Sequence, residues 1–287
     1  MDQWMKLFVL DIHCSNSLKL EAQILTTLKG CPNVVQFFGA ALSVDNGIPT
    51  YNLFLEYACG GSLHDLIINS KRGMMKMSEL EVGFYTYQLL NGIVHVHKKG
   101  WVHCDIKPAN VLVFDNERGG MHKLKLADFG LSLRVGDWMA YMTGRALSNR
   151  GTLLYAPPES STHGFHSKAY DIWSLGCTVA EMMTGYRVWI DCSTKDLQWM
   201  IMTEDPMIPT NISEIAKDFL HKCFIRDPLG RWTSEQLPQH PFIQQALCTA
   251  SMSLMPETQE VTRRVSPFGC QIPIPEKDFI SLPLEAV

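Results

Sequence analysis

The chain has 287 residues, with 25 lysines and arginines against 29 aspartates and glutamates, 46% hydrophobic and 19% charged side chains. At ~150 residues per domain this is length for two compact units, or for one large two-lobed domain with a sizeable core. A net charge of -4 offers no basic footprint for nucleic acid or an anionic membrane, and the composition excludes a disordered chain and an extended coil.

The apolar pattern of residues 6–12 predicts a strand, and residues 17–29 turn helical, with Leu20, Ile24 and Leu28 four apart and Gly30 as a stop. Apolar runs at 34–41 and 51–57 flank Asp45-Asn46-Gly47 and predict an antiparallel hairpin. Residues 1–57 therefore read as a small sheet with one helix. Cys59-Gly60-Gly61-Ser62 reads as a joint, after which helical signals dominate.

Ser78 and Glu81 form a capping box that opens a helix running to about Lys98, closed by Gly100. Residues 111–114 and 124–126 predict a second hairpin. From Ala169 to Thr184 nearly every face is apolar, as a fully buried helix requires. Further helices are expected at 195–202, at 213–223 and from Thr233 onward, where Thr233 and Gln236 make another box. From about Leu247 the periodicity fades, so the domain reading is 1–57, 58–243 and a loose tail over 244–287.

Nine cysteines, an odd number without a C-x-x-C pair, fit neither a zinc site nor a disulfide framework. They suit free thiols in a reducing compartment, the cytoplasm or the nucleus. The run Leu7-Phe8-Val9-Leu10 is too short for a signal segment, and no stretch reaches the ~18 apolar residues of a membrane span.

The chemistry is concentrated in His103-Cys104-Asp105-Ile106-Lys107-Pro108-Ala109-Asn110, a loop between the long helix and the second hairpin. It supplies a base, a cation and an oxygen ligand within a few residues, the set that phosphoryl transfer from a metal nucleotide needs. Beyond the hairpin, Ala127-Asp128-Phe129-Gly130 adds a carboxylate suited to magnesium. Each fragment alone is ordinary, since an isolated Asp-Phe-Gly is usually a turn and an Asp-Ile-Lys usually solvated surface. What is specific is their order with Gly151-Thr152, Pro157-Pro158-Glu159, Asp171-Ile172-Trp173-Ser174-Leu175-Gly176 and Arg231.

In that order the chain resembles the eukaryotic protein kinase family from about residue 6 to 243. The segments HCDIKPANVLVF, KLADFGLS, RGTLLYAPPES, DIWSLGCTVAEMMTG and CFIRDPLGRWT resemble plant mitogen-activated protein kinase kinase kinases. The resemblance implies a two-lobed α+β fold, a small β-rich lobe without its leading strands and a larger helical lobe, with ATP and Mg2+ in the cleft. It implies serine/threonine phosphorylation of a protein substrate, such as a MAP kinase kinase.

Position by position, the resemblance makes Asp105 the catalytic aspartate and Lys107 the cation on the transferring phosphoryl group. It makes Asn110 and Asp128 the magnesium ligands and Thr152 a shaper of the substrate site. Glu159 and Arg231 become a structural ion pair, and Asp171 the anchor of the catalytic loop. Leu55 takes the gatekeeper position, while the backbone of Glu56 and Ala58 meets adenine. His103 invites a general-base reading, but the resemblance makes it a packed structural histidine.

Three departures accompany these matches. The glycine-rich phosphate loop is missing, the first glycine being Gly30, so the chain reads as truncated at its N-terminus. Glu21 matches the helix glutamate that pairs with a strand lysine. The lysine position falls on Asp11, or on Lys6 in a poorer strand register. Two readings stay open: a weakened serine/threonine kinase, or a pseudokinase or truncated scaffold. Finally, Cys104 replaces the arginine that usually receives an activating phosphate, which predicts little dependence on phosphorylation at Thr143 or Ser148. Pro157 stiffens the segment before Pro158-Glu159.

Overall fold

Three strands, β1 (Trp4–Val9), β2 (Phe37–Asp45) and β3 (Ile48–Glu56), form an antiparallel sheet in the order β1-β3-β2. The computed structural model describes residues 4–9, 15–45, 48–72, 76–115, 120–136, 151–163, 166–189 and 193–253. These belong to one unit, Met1–Leu254, and a second unit, Met255–Val287, lies outside the described residues.

The hairpin pairs β2 with β3 up to Asp45 opposite Ile48, so the expected turn falls at Asn46 and Gly47, outside the described residues. β2 begins at Phe37 rather than at Val34. Val34 bridges Leu126, and the Val35 amide donates to the Leu126 carbonyl at 2.9 Å. The apolar run 34–41 thus serves two partners, which periodicity alone cannot separate.

Helix α1 (Ser15–Thr27) lies against this sheet, with Leu18, Ile24 and Leu25 buried and Leu28 buried just beyond its end. After the joint comes α2 (Leu63–Arg72), for which the sequence reading had no separate element. Its signal was present in Ser62 and Asp65: the Ser62 amide and hydroxyl donate to Asp65 Oδ2 at 3.0 and 2.6 Å, and the Asp65 amide donates back to the Ser62 hydroxyl at 3.2 Å. This is a cap built from a serine and an acid three apart.

Helix α3 (Glu79–Lys98) starts at the Ser78/Glu81 capping box, and Gly100 follows it at φ 81°. The short strands β4 (Trp101–Val102) and β7 (Leu133–Arg134) pair antiparallel, and the second hairpin is β5 (Val111–Phe114) with β6 (Lys123–Leu126). A short α4 (Pro158–His163) leads to α5 (Lys168–Thr184), capped by the Ser167 hydroxyl and ended by Gly185 at φ 75°. Every residue of α5 from Tyr170 to Met183 is buried, as its all-round apolar pattern requires.

The remaining helices are α6 (Thr194–Thr203), α7 (Glu214–Cys223) and α8 (Pro241–Ser253). The helix expected from Thr233 is a correction. The Thr233/Gln236 box forms, with the Thr233 amide on Gln236 Oε1 at 2.9 Å and the Gln236 amide on Thr233 Oγ1 at 3.3 Å. It closes only turns and the 3-10 segment Leu237–Gln239, and the helix proper starts at Pro241. Pro238 and Pro241 supply no amide hydrogen, so both fit first turns and neither fits a helix interior. The fading expected from residue 244 or 247 is also displaced, because α8 continues to Ser253. Among the described residues no helix is long and apolar enough to cross a membrane, and Cys31, Cys59, Cys104, Cys177, Cys223 and Cys248 carry free thiols.

Candidate active site

The site begins in the middle of the core. Asp171, fully buried in α5, accepts the backbone amides of His103 at 2.8 Å on Oδ2 and of Cys104 at 2.9 Å on Oδ1. Its Oδ2 also meets His97 Nε2 of α3 at 2.8 Å, and His97 Nδ1 reaches the Ser234 hydroxyl at 3.0 Å. A buried carboxylate needs such partners. Here two of them are consecutive peptide groups of the loop, so the loop is fixed to the central helix. Cys104 itself sits at φ 65°, a left-handed backbone uncommon outside glycine.

His103 has both ring nitrogens engaged: Nε2 lies 3.1 Å from the Ala127 carbonyl, and Nδ1 accepts the Asp105 amide at 3.3 Å. That pattern fits one neutral tautomer, and it leaves neither nitrogen available to a substrate. The ring packs against Phe129 with centroids 4.7 Å apart.

From this support Asp105 projects a carboxylate on which three side chains converge. Oδ2 accepts Lys107 Nζ at 2.7 Å and Asn110 Nδ2 at 2.8 Å; Oδ1 accepts the Thr152 amide at 2.9 Å and its hydroxyl at 3.1 Å. Lys107 Nζ donates in turn to Thr152 Oγ1 at 2.8 Å. Asp105, Lys107, Asn110 and Thr152, spread over 48 positions of chain, therefore form one hydrogen-bonded cluster. Gly151 makes the approach of Thr152 possible. It has φ 76°, and a β-carbon there would collide with the Cys104 carbonyl and stand 2.9 Å from the Tyr170 hydroxyl.

Asn110 turns its amide nitrogen to Asp105, on the backbone carbonyl at 2.9 Å and on Oδ2, which directs its Oδ1 away as an acceptor. The Asn110 carbonyl accepts the Ala127 amide at 2.9 Å, and so ties this segment to Asp128. Asp128 is exposed and adopts φ 63°, strain of the kind that collects at functional sites. An asparagine oxygen and one carboxylate are hard, oxygen-only donors. They suit a magnesium ion that completes its shell with phosphate oxygens and water. Among the described residues no group of three or more histidine, cysteine, aspartate or glutamate side chains could hold a metal by itself.

Helix α1 reaches this segment through two tethers. Glu21, 3% exposed, accepts the Phe129 amide at 3.1 Å, and the Ser17 hydroxyl donates to the Gly130 carbonyl at 3.2 Å. Burial pushes the Glu21 carboxyl up to about 7, the Phe129 amide opposes the rise, and the nearby Asp128 charge adds to it. The family's partner for this glutamate is a strand lysine, whose position the sequence puts at Asp11 or Lys6; among the described residues the hydrogen-bond partner of Glu21 is the Phe129 amide. Asp11, Thr143 and Ser148 lie outside the described residues, as does the side chain of Lys6.

Leu55 is buried at the end of β3, where Glu56, Tyr57 and Ala58 lead to the joint. The Glu56 amide donates to the Gln36 carbonyl at 3.0 Å. The sequence reading overlooked the Glu56 side chain, whose oxygens both meet Lys125 Nζ, at 2.5 and 2.6 Å. A lysine between Leu124 and Leu126 in a buried strand was the available signal, because a buried ammonium needs a partner.

Away from the loop, Arg231 makes a two-pronged pair with Glu159, 2.8 and 3.1 Å, and donates to the carbonyls of Ile225, Ala169 and Arg226. Its guanidinium stands 5.1 Å over the Trp173 ring of α5. The pair thus joins the segment after Thr152 to the helical core. Pro157 is buried just before α4, and its carbonyl accepts the Ser160 hydroxyl at 2.7 Å.

Comparison with known proteins agrees with this geometry. The family model described as protein kinase domain matches residues 9–243. The chain is 38% identical to mitogen-activated protein kinase kinase kinase 20 of Arabidopsis thaliana over 81% of its own length and 67% of the relative's. It is 35% identical to kinase kinase kinase 17 of the same plant, over 81% and 60%, and 37% identical to kinase kinase kinase 3, over 84% and 37%. The chain therefore spans between about a third and two thirds of these relatives. Protein kinases as a family use ATP and Mg2+. With a family model matching most of its length and relatives above 30% identity, the chain belongs to the protein kinase domain family.

Proposed function

We propose that this chain transfers the γ-phosphoryl group of ATP to a serine or threonine hydroxyl of a protein, and that the protein is a MAP kinase kinase. The observation that carries the reading is the convergence of Lys107, Asn110 and Thr152 on the Asp105 carboxylate. The names of the relatives support the place in a MAP kinase cascade.

Asp105 orients the substrate hydroxyl and receives its proton. Each of its oxygens already accepts two hydrogen bonds, so one must be released. Lys107 is the group to leave: moving from Oδ2 to the transferring phosphoryl, it frees the base and neutralises charge in the same motion. Asn110 and Thr152 then keep the carboxylate from turning. Asn110 Oδ1 and Asp128 would hold magnesium, which when bound shields the phosphate charge. The backbone of Glu56 and Ala58 would receive the adenine beside Leu55.

The test is magnesium-dependent transfer of phosphate from ATP to a MAP kinase kinase, with Asp105→Asn as the control. Transfer abolished by the substitution is the expected result. Equal transfer by both proteins, or none by either, would overturn the reading.

A further inference from the structure

A cavity of about 530 Å3 opens where the C-terminal end of α1, the start of β2 and the outer side of β6 meet. None of its lining residues belongs to the Asp105 cluster. Its size is that of a ligand pocket. Lys29, Lys123 and Lys125 bring three ammonium groups to it, with Phe37, Phe38 and Cys31 between them.

The three lysines are not equivalent. Lys125 is buried and holds both oxygens of Glu56, and the Gln36 amide adds a bond to Glu56 Oε1 at 2.7 Å. This wall of the cavity thus already grips one carboxylate. Lys29 and Lys123 are exposed, and among the described residues neither has a carboxylate partner. Lys29 Nζ lies 5.8 Å above the Phe37 ring, and Phe38 is 52% exposed beside it. Burial pushes the Cys31 thiol up, while Lys125 and Lys123 act in the opposite direction, so both ammonium groups are felt in the same space. In a chain of net charge -4, the positive charge of Lys29 and Lys123 next to exposed aromatic surface complements an anionic partner with an apolar body.

We propose that the cavity docks an acidic peptide segment of a partner protein, one apolar side chain resting on Phe37 and Phe38 and flanking carboxylates on Lys29 and Lys123. Because Lys125 stays with Glu56, the two exposed lysines carry the selectivity. The site is independent of phosphoryl transfer and does not rest on it.

The experiment uses the full chain and a fluorescein-labelled pentapeptide with one phenylalanine between two pairs of glutamates, read by fluorescence polarisation. Saturable binding is expected, weakened by added salt. Lys29→Glu combined with Lys123→Glu should weaken it about tenfold or more, and Phe38→Ala should weaken it as well. Lys195→Glu, an exposed lysine on α6, should leave it unchanged. The pair Lys29→Gln and Lys123→Gln repeats the test if charge reversal shifts the melting temperature. Absence of saturable binding, equal binding of the glutamine counterpart peptide, or equal loss in Lys195→Glu would each overturn the proposal. So would inorganic phosphate displacing the peptide completely at equal concentration, since that marks a bare anion site.

Discussion

Thr152 grips the Asp105 carboxylate twice, through its amide at 2.9 Å and its hydroxyl at 3.1 Å, both on Oδ1. The same hydroxyl accepts Lys107 Nζ at 2.8 Å, so one oxygen couples the carboxylate to the ammonium group. Thr152→Val preserves the shape and the amide bond while removing both hydroxyl contacts. At about 1.5–3 kcal/mol for hydrogen bonds to charged groups, kcat should fall about tenfold to a hundredfold. Unfolding in urea should shift little, because Thr152 is only half-buried. An unchanged kcat would remove the hydroxyl from the machinery.

Gly151→Ala tests the turn that delivers Thr152. Alanine would have to hold φ 76° and place a methyl group against the Cys104 carbonyl. Left-handed strain alone costs about 1–2 kcal/mol, and the collision forces the backbone aside. The expected outcome is a lower melting temperature together with lost transfer activity. A variant with normal activity would show that the turn is not needed in this form.

The Glu159–Arg231 pair is buried, 9% and 0% exposed in its side chains. Removing one partner leaves a buried charge, so Arg231→Ala should cost about 3–5 kcal/mol in chemical denaturation. Arg231→Met with Glu159→Leu should cost clearly less than the sum of the single substitutions, because no orphan carboxylate remains. Additive losses would show that the carbonyl contacts of Arg231, not its ion pair, dominate.

Glu21 should make stability depend on pH in an unusual direction for a carboxylate. Its folded-state value, about 7, stands above the ordinary 4.5, so the folded protein binds the extra proton between those limits. The stabilisation is fully present below about pH 4.5 and is lost as pH rises through 7. Glu21→Gln stays neutral and can still accept the Phe129 amide. Relative to the parent it should be similar at pH 5 and more stable at pH 8, by up to about 3 kcal/mol. Urea unfolding of both proteins across that range decides; a constant difference would place the cause elsewhere.

Most elements were legible because they carry local signals. The Ser78/Glu81 box, the all-round apolar pattern of residues 169–184 and the Asp-x-Lys-x-x-Asn spacing are readable one residue at a time. What escaped was tertiary. Val34 and Val35 leave the first sheet to bridge Leu126, and the Thr233/Gln236 box opens turns instead of a helix because prolines follow. Lys125 was passed over because its partner, Glu56, is 69 residues away. At Glu21 no residue pattern pointed to the peptide amide of Phe129 that occupies its oxygen. Backbone groups are identical at every position, so no sequence pattern announces them.

Both oxygens of Asp171 accept peptide groups of the loop, and the aspartate sits in a helix that is buried from Tyr170 to Met183. The Asp105 carboxylate thus inherits its aim from the interior. A volume change deep in that helix would be transmitted outward as misalignment of the Asp105 carboxylate, whereas substitutions on the surrounding surface would leave its direction alone.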